Sequence, residues 1–314
     1  MAIVTYLDED AVRRLLRWHE LIPALEDALA KFSSGLVLHP VRNVLTIEER
    51  QRYLGIMPAV TDKFASVKVI NYYPRNEGTG VPTHLGVILL FRADTGEPLA
   101  VMDGRLITEM RTAAVSAAVT GRLMPPESRV LAILGSGVQA QAHLEALRSI
   151  HAFGEVRVWS RTPEHARHFA SQHGATATDA EAAVRGADVV VTATNANEPV
   201  LKGEWLKPGA HVNSVGANRP TWRELDDRVM NNTLVVDSRE ATLKESGDVI
   251  LSKATIAAEI GELFAGTKSI PRTETTVFKS VGLAVEDLAA AQIVYEAASR
   301  NSVQATSTSS RVVR

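Results

Sequence analysis

Residues 130–147, VLAILGSGVQAQAHLEAL, constrain the fold more than any other stretch of the chain. Val130, Leu131, Ala132, Ile133 and Leu134 form an unbroken apolar run, as a strand buried on both faces of a parallel sheet requires. Gly135-Ser136-Gly137-Val138-Gln139-Ala140 comes next as G-x-G-x-x-A, and Ala140, Leu144 and Leu147 then fall on one face of a helix. Glycine turns of this composition also occur without a ligand. Strand, turn and helix in immediate succession point instead to a dinucleotide-binding unit. In that reading Gly135 permits the tight turn, Gly137 lets the backbone approach a pyrophosphate, and Ala140 lets helix and strand pack closely. The helix N-terminus, at Val138 and Gln139, offers N–H groups to the anion.

Beyond residue 147 the chain keeps alternating in the same way. Strands are predicted at 156–159, 188–193, 211–215 and 234–237, with a helix over 163–173, so residues 125–284 read as a Rossmann-type, doubly wound parallel sheet. The first part of the chain has other periods. A helical stripe covers 8–35, with Asp8 as its cap, Gly35 as its stop, and a break near Trp18-His19 imposed by Pro23. Residues 63–73 alternate, setting Ala65, Val67 and Val69 on one face and Ser66, Lys68 and Ile70 on the other. Strands at 85–92 and 98–103 are joined by a turn built from Arg92-Ala93-Asp94-Thr95-Gly96-Glu97. Residues 1–124 therefore predict an α+β domain with a mainly antiparallel sheet. A small-residue helix at 104–123 closes it and is stopped by Pro125-Pro126. A last helix, about 285–300, is expected to return to this first domain, and the Ser/Thr-rich tail 301–314 is expected to be poorly ordered.

Composition removes several classes of function. The chain of 314 residues is long enough for two domains, and its 34 Lys and Arg nearly balance 36 Asp and Glu. That balance gives no field to draw in nucleic acid or a membrane surface. Without cysteine there are no disulfides, thiolate nucleophiles or zinc-thiolate sites, and no metal site is expected. No apolar run is long enough for a membrane span, and the N-terminus turns acidic too early for a signal peptide, so a soluble cytoplasmic protein is expected.

The second strand of the parallel sheet bears on the choice of coenzyme. An NAD site places a carboxylate at its end to bind the ribose 2′-hydroxyl. Here the chain reads Trp159-Ser160-Arg161-Thr162. Arg161 can pair with a 2′-phosphate while Ser160 and Thr162 donate to it, which favours NADPH/NADP+ over NADH. The alternative is that Arg161 is a solvated surface cation.

Motifs along nearly the whole chain resemble the ornithine cyclodeaminase/mu-crystallin family. They are Gly55-Ile56-Met57-Pro58, Met102-Asp103-Gly104, Met110-Arg111-Thr112-Ala113-Ala114, the turn from Gly135 to Ala140, Val215-Gly216-Ala217-Asn218-Arg219-Pro220, Lys244-Glu245-Ser246-Gly247-Asp248 and Val277-Phe278-Lys279-Ser280. Pro208-Gly209-Ala210-His211 and Trp222-Arg223-Glu224-Leu225-Asp226-Asp227 are most similar to the mu-crystallin-type ketimine reductases of that family. The resemblance implies a first domain that binds substrate and forms a homodimer. It maps the cations that hold a substrate carboxylate to Arg42, Lys68 and Arg111. It also puts Thr112 near the phosphates or nicotinamide, Val215 and Ser280 beside the ring, and Thr194 and Gly282 in the cofactor set. His84 is expected to border the pocket, and Asp237, at the carboxyl edge of the sheet, is a further candidate.

Two departures decide among the family's reactions. Cyclodeaminases carry a glutamate where this chain has Gly55, and a catalytic aspartate where it has Asn218. An amide cannot act as a general base, though it can hydrogen-bond a substrate nitrogen. Cyclodeamination is therefore disfavoured, and NADPH-dependent reduction of a ketimine or imino acid is expected. Lys68 is a candidate proton donor, unless the imine arrives already protonated. Reductive amination of a 2-oxo acid would use the same site. A non-catalytic protein holding NADPH and a small ligand is a third reading, although such a binder has less need of three cations.

Overall fold

The computed structural model describes residues 4–49 and 51–309, with the backbone alone from 302. Residues 1–3 of the acidic N-terminal segment and 310–314 of the Ser/Thr-rich tail lie outside the described residues. The chain divides into two compact units.

The first unit comprises Met1–Ala28, Gly35–Arg111 and Ala284–Arg314. Its elements are β1 (Thr5–Leu7), α1 (Glu9–Leu15), α2 (Trp18–Ser33, which ends in the other unit), β2 (Asn43–Glu48), β3 (Arg52–Val60), β4 (Phe64–Tyr72), β5 (His84–Arg92), β6 (Pro98–Asp103) and the start of α3 (Gly104–Leu123). Asp8 caps α1 by accepting from the Ala11 N–H at 2.8 Å. The break after α1 comes at Leu16-Arg17, slightly before the expected Trp18, and Pro23 lies inside α2 without ending it. The sheet runs β1-β6-β5-β4-β3-β2; β1 pairs parallel with β6 and the other pairs are antiparallel.

Polarity alone would bury Ala65, Val67 and Val69 of β4, but the buried face carries Phe64, Ser66 and Lys68. The register explains this. Lys68 lies opposite Met57 on one side and Ile88 on the other, both enclosed. The final helix, α11 in chain order (Ala284–Ser309), packs over this face against β3, β4 and β5. It is longer than the expected 285–300 and carries the chain through most of the tail read as poorly ordered.

The second unit comprises Leu29–Ser34 and Thr112–Leu283. After α3 come β7 (Val130–Leu134), α4 (Val138–Ile150), β8 (Glu155–Trp159), α5 (Pro163–His173), β9 (Thr176–Ala177), α6 (Ala180–Val184), β10 (Val189–Thr192) and β11 (His211–Ser214). Then come α7 (Asp227–Met230), β12 (Thr233–Val236), α8 (Arg239–Glu245), α9 (Gly247–Ser252), β13 (Ile256–Glu259), α10 (Ile260–Phe264) and β14 (Thr276–Lys279). All eight strands are parallel, in the order β13-β12-β14-β11-β10-β7-β8-β9. The order reverses at β7, and crevices at the carboxyl ends of strands at such a point are where ligands bind in doubly wound sheets.

The unit boundary falls between Arg111 and Thr112, inside α3, and not at the proline pair near 125. The second half of α3 has its polar groups tied into the second unit. Ser116 meets His143 Nε2 at 3.0 Å, and Thr120 accepts from Asn213 at 2.8 Å. The prolines end the helix but do not mark the division between the units. Among the described residues, no helix is long and apolar enough to cross a membrane, and no group of His, Asp or Glu is placed to hold a metal ion.

Candidate active site

The glycine turn has the geometry its spacing requires. Gly135 adopts φ +128°, and a Cβ there would lie 2.4 Å from the carbonyl oxygen of Ala193, just past β10. Only glycine fits that approach. Above Gly137 a Cβ would meet nothing within 4 Å, so the backbone is open to a ligand at that point. Gly137 begins α4 without a side-chain cap, so the first N–H groups of the helix are not met by one. Val138 is exposed, and Gln139 Oε1 is buried with no hydrogen-bond partner among the described residues. A side-chain-free cradle and an orphaned acceptor beside it fit a bound dinucleotide. At the end of β8, Ser136 Oγ donates to Ser160 Oγ at 2.9 Å, Arg161 is exposed and Thr162 precedes α5.

Of the other residues expected near the cofactor, Thr112 lies within α3, while Thr194, Val215, Ser280 and Gly282 follow the carboxyl ends of β10, β11 and β14, where buried carboxylates hold Thr194, Ser280 and Gly282. Thr194 donates its N–H (2.6 Å) and its hydroxyl (2.7 Å) to Glu224 Oε1. Asp237 directly follows β12, and its Oδ2 accepts from Ser280 Oγ (3.0 Å), Val281 N–H (2.7 Å) and Gly282 N–H (2.7 Å). Asp237 thus clamps the loop after β14, and Gly282 sits there at φ +78°. Val215 is buried, while Asn218 is exposed and donates to the Val215 carbonyl at 3.1 Å.

In the first unit the structure brings Lys68 and Arg111 together through acids that sequence reasoning missed. Lys68, on β4, is 1% exposed. Its Nζ lies 2.7 Å from Asp287 Oδ2 and donates to Thr108 Oγ1 at 3.1 Å. An ammonium has three N–H donors, and these two contacts occupy at most two of them. Arg111 donates from Nε to Asp287 Oδ1 (3.1 Å) and from Nη1 to Glu286 Oε2 (2.5 Å). Burial is the main reason the Lys68 pKa falls to about 8; Arg111 and Arg42 push the same way and Asp287 opposes them. Arg42, in the loop before β2, is therefore close enough for its field to reach Lys68. Glu286 and Asp287 stand in the first turn of α11, where acids are ordinary helix-start residues. That familiarity hides them. The signal was their position within an apolar run, Leu283-Ala284-Val285 before and Leu288-Ala289-Ala290 after.

On the same face of β4, two rows beyond Lys68, Tyr72 lies between Tyr53 and His84. The His84 and Tyr72 rings are 4.3 Å apart and those of Tyr53 and Tyr72 6.2 Å. The intervening row is Gly55, Ile70 and Gly86. A Cβ at Gly55 would come within 3.1 Å of the Ile70 side chain, so a larger residue there requires Ile70 to shift.

Comparison with known proteins identifies the family and the fold. A profile of the ornithine cyclodeaminase/mu-crystallin family matches residues 5–302. The chain is 50% identical to the ketimine reductase mu-crystallin of Mus musculus, covering 93% of this chain and 96% of that one. It is 36% identical to a Delta(1)-pyrroline-2-carboxylate reductase of Bacillus cereus, covering 91% and 94%. Among solved structures, the Thermococcus litoralis Delta(1)-pyrroline-2-carboxylate reductase in complex with NADH and L-proline superposes with a TM-score of 0.90 at 35% identity, over 95% of this chain and 98% of that one. An archaeal alanine dehydrogenase dimer with bound NAD gives 0.88 at 35% identity, over 95% and 97%.

Proposed function

Because the chain belongs to the ornithine cyclodeaminase/mu-crystallin family, we propose that it is an oxidoreductase that reduces the C=N bond of cyclic ketimines and imino acids with NADPH. The observation that carries this reading is the setting of Lys68: a buried ammonium held by Asp287 and Thr108, in a cluster with Arg111.

When bound, the reduced nicotinamide supplies a hydride to the carbon of the C=N bond. The protein supplies the grip and the proton. Arg42 and Arg111 hold the substrate carboxylate; a guanidinium has five N–H donors, so bonds to Glu286 and Asp287 are compatible with a third carboxylate. Lys68 passes a proton to the substrate nitrogen as the carbon is reduced, leaving a C–H and an N–H where the double bond was, and is recharged from solvent. A lysine with a pKa of about 8 is a far better acid than one at 10.5, yet remains mostly protonated at neutral pH. Asp287 and Thr108 fix the direction of the remaining N–H.

The backbone cradle at Gly135 and Gly137 takes the pyrophosphate, and Arg161 with Ser160 and Thr162 takes the 2′-phosphate, which favours NADPH over NADH. Cyclodeamination has no carboxylate at Gly55 or Asn218 to support it. The relatives include an alanine dehydrogenase of Archaeoglobus fulgidus, so reductive amination is the second reading. Steady-state rates with preformed cyclic imines, against pyruvate plus ammonia or methylamine, each with NADPH and with NADH, test both. No imine-dependent oxidation of either coenzyme would refute the proposal.

The first unit also has an outer face that water does not suit. Leu45, Leu85, Val87 and Tyr6 are between 42% and 73% exposed there, beside Val67, Val69 and Leu89 of the same face. A contiguous apolar sheet face of this kind is covered in stable proteins. We assign it to a second copy of this chain in a homodimer, as one of the solved relatives is a dimer.

A further inference from the structure

Glu224 is fully buried in the segment between β11 and α7, and it accepts five hydrogen bonds. Thr194 provides two of them to Oε1 through its N–H and hydroxyl. Oε2 receives Thr192 Oγ1 (2.9 Å), Ser214 Oγ (3.1 Å) and the Gly216 N–H (2.9 Å). Each oxygen thus binds the backbone of a different loop: Thr194 after β10, and Gly216 after β11. The two loops touch directly. A Cβ on Gly216 would lie 2.1 Å from the Thr194 carbonyl oxygen and 2.6 Å from Glu224 Oε1.

Glu224 is itself held from behind. Its N–H and that of Leu225 donate to Asp248 Oδ1 at 2.8 and 2.9 Å. Asp248 Oδ2 lies 3.1 Å from Lys279 Nζ, and Lys279 in turn donates to the Gly216 carbonyl and to Ser214 Oγ. The ends of β10, β11 and β14 are therefore tied through one buried set of two carboxylates and one ammonium. Burying those charges costs several kcal/mol each before pairing, and well-packed apolar residues often do as well for stability alone. What a charged acceptor adds is fixed distance. The residue before Thr194 is Ala193, whose carbonyl abuts Gly135 of the glycine turn. The residue before Gly216 is Val215.

We propose that Glu224 is a positioning residue for the coenzyme: by binding the Thr194 and Gly216 amides on its two oxygens, it sets the spacing between the Gly135 turn and the Val215 loop. The inference rests on the reading that the nicotinamide coenzyme lies along this edge. Glutamine at 224 keeps the size but turns one acceptor oxygen into a donor, which must then face a backbone N–H and release one loop.

The test is Glu224→Gln beside Thr192→Val. The second variant removes a side-chain donor to the same carboxylate and leaves the Thr194 and Gly216 amides their acceptor, and the Val215 N–H its bond to the Thr192 carbonyl. For Glu224→Gln, the NADPH Kd measured by fluorescence is expected to rise about tenfold or more and kcat to fall about 10- to 100-fold, because small misplacements at the reacting atoms cost that much. KM for the imine stays within about twofold, since its anchors are in the other unit. Stereospecific transfer from 4-deuterated NADPH loosens, which a loss of stability alone does not cause. Thr192→Val lowers the melting temperature without these changes. If Glu224→Gln alters coenzyme Kd and stereospecificity no more than Thr192→Val does, the inference is overturned. Should Glu224→Gln fail to fold, Glu224→Asp keeps the charge but cannot reach both loops, and the same outcomes decide. A wild-type protein that reduces imines without saturable NADPH binding would refute the underlying coenzyme reading instead, and the inference with it.

Discussion

Replacing Asp287 by asparagine removes one negative charge and almost no volume from the Lys68 cluster. Asp287 Oδ2 stands 2.7 Å from Lys68 Nζ, and both side chains are 1% exposed. At an effective dielectric constant of about 20, a pair at that distance interacts by roughly 6 kcal/mol, equivalent to about four pKa units as a ceiling. Asp287 is the main group holding the Lys68 pKa up, against burial and the fields of Arg111 and Arg42. Without it the pKa falls below its present value of about 8, and a quarter of that ceiling is enough to carry it to about 7. Lys68 in Asp287→Asn is then largely neutral at pH 8 and cannot give a proton. The assay is the pH profile of kcat/KM with a cyclic imine between about pH 6 and 9. In the wild type its alkaline limb is expected near 8, set by Lys68. In the variant the limb moves acidward by about one unit or more, with a fall of about fivefold or more at pH 8 that shrinks toward pH 6. Thr108→Val, which removes a neutral partner of Lys68, shifts the limb less. A limb that stays near 8 in Asp287→Asn, or one that follows the pKa of whichever imine is supplied, would refute Lys68 as the donor and leave the substrate to arrive as an iminium ion.

Three other outcomes are expected. Arg161→Ala raises KM for NADPH by about tenfold or more and leaves KM for NADH nearly unchanged, as loss of a charge-assisted phosphate contact requires; equal effects on both coenzymes would remove Arg161 from the 2′-phosphate site. Val87→Asp puts a charge in the outer sheet face opposite Val69, so sedimentation velocity is expected to show a dimer for the wild type and a monomer for the variant; a dimer in both moves the interface elsewhere. His143 and His211 are wholly buried, and burial brings both pKa values down to about 4. The unfolded chain takes up those protons from about pH 6.5 downward while the folded one does not, so stability is full above 6.5 and declines toward 4, by up to about 3 kcal/mol per ring. Denaturant midpoints at about pH 7, 6 and 5 check this, and a flat profile would contradict it.

The parallel sheet was legible where strands are long and apolar. Val130 to Leu134 and the glycines after them define their element unaided, because a strand buried on both faces must be apolar throughout and Gly135 cannot be any other residue. β9, β13 and β14 were not legible as strands. β9 has two residues; β13 alternates on an edge; β14 reads Thr-Val-Phe-Lys, four residues ending in a charge. That charge is the reason: Lys279 is buried only because Asp248, Ser214 and the Gly216 carbonyl are placed to receive it. Nothing in the local pattern of residues 276–279 announces partners so far away along the chain.

The same physics separates the visible part of the candidate site from the hidden part. Lys68, Arg111 and the glycine turn stand out because a cation in an apolar strand, or a strict need for no side chain, violates the surrounding pattern. Asp287, Glu286 and Glu224 do not stand out: two sit where a helix favours acids, and the third lies in a polar connecting segment. Yet a cation cannot be enclosed to 1% exposure without an anion, since the desolvation cost far exceeds any packing gain. A buried Lys68 therefore implies an acid somewhere in the same unit. The rule that would have found it is to ask, for each cation assigned to a core face, which acid lies in an otherwise apolar stretch of an element that can cover that face. Asp287, between Val285 and Leu288 on the helix that packs over β4, answers that question.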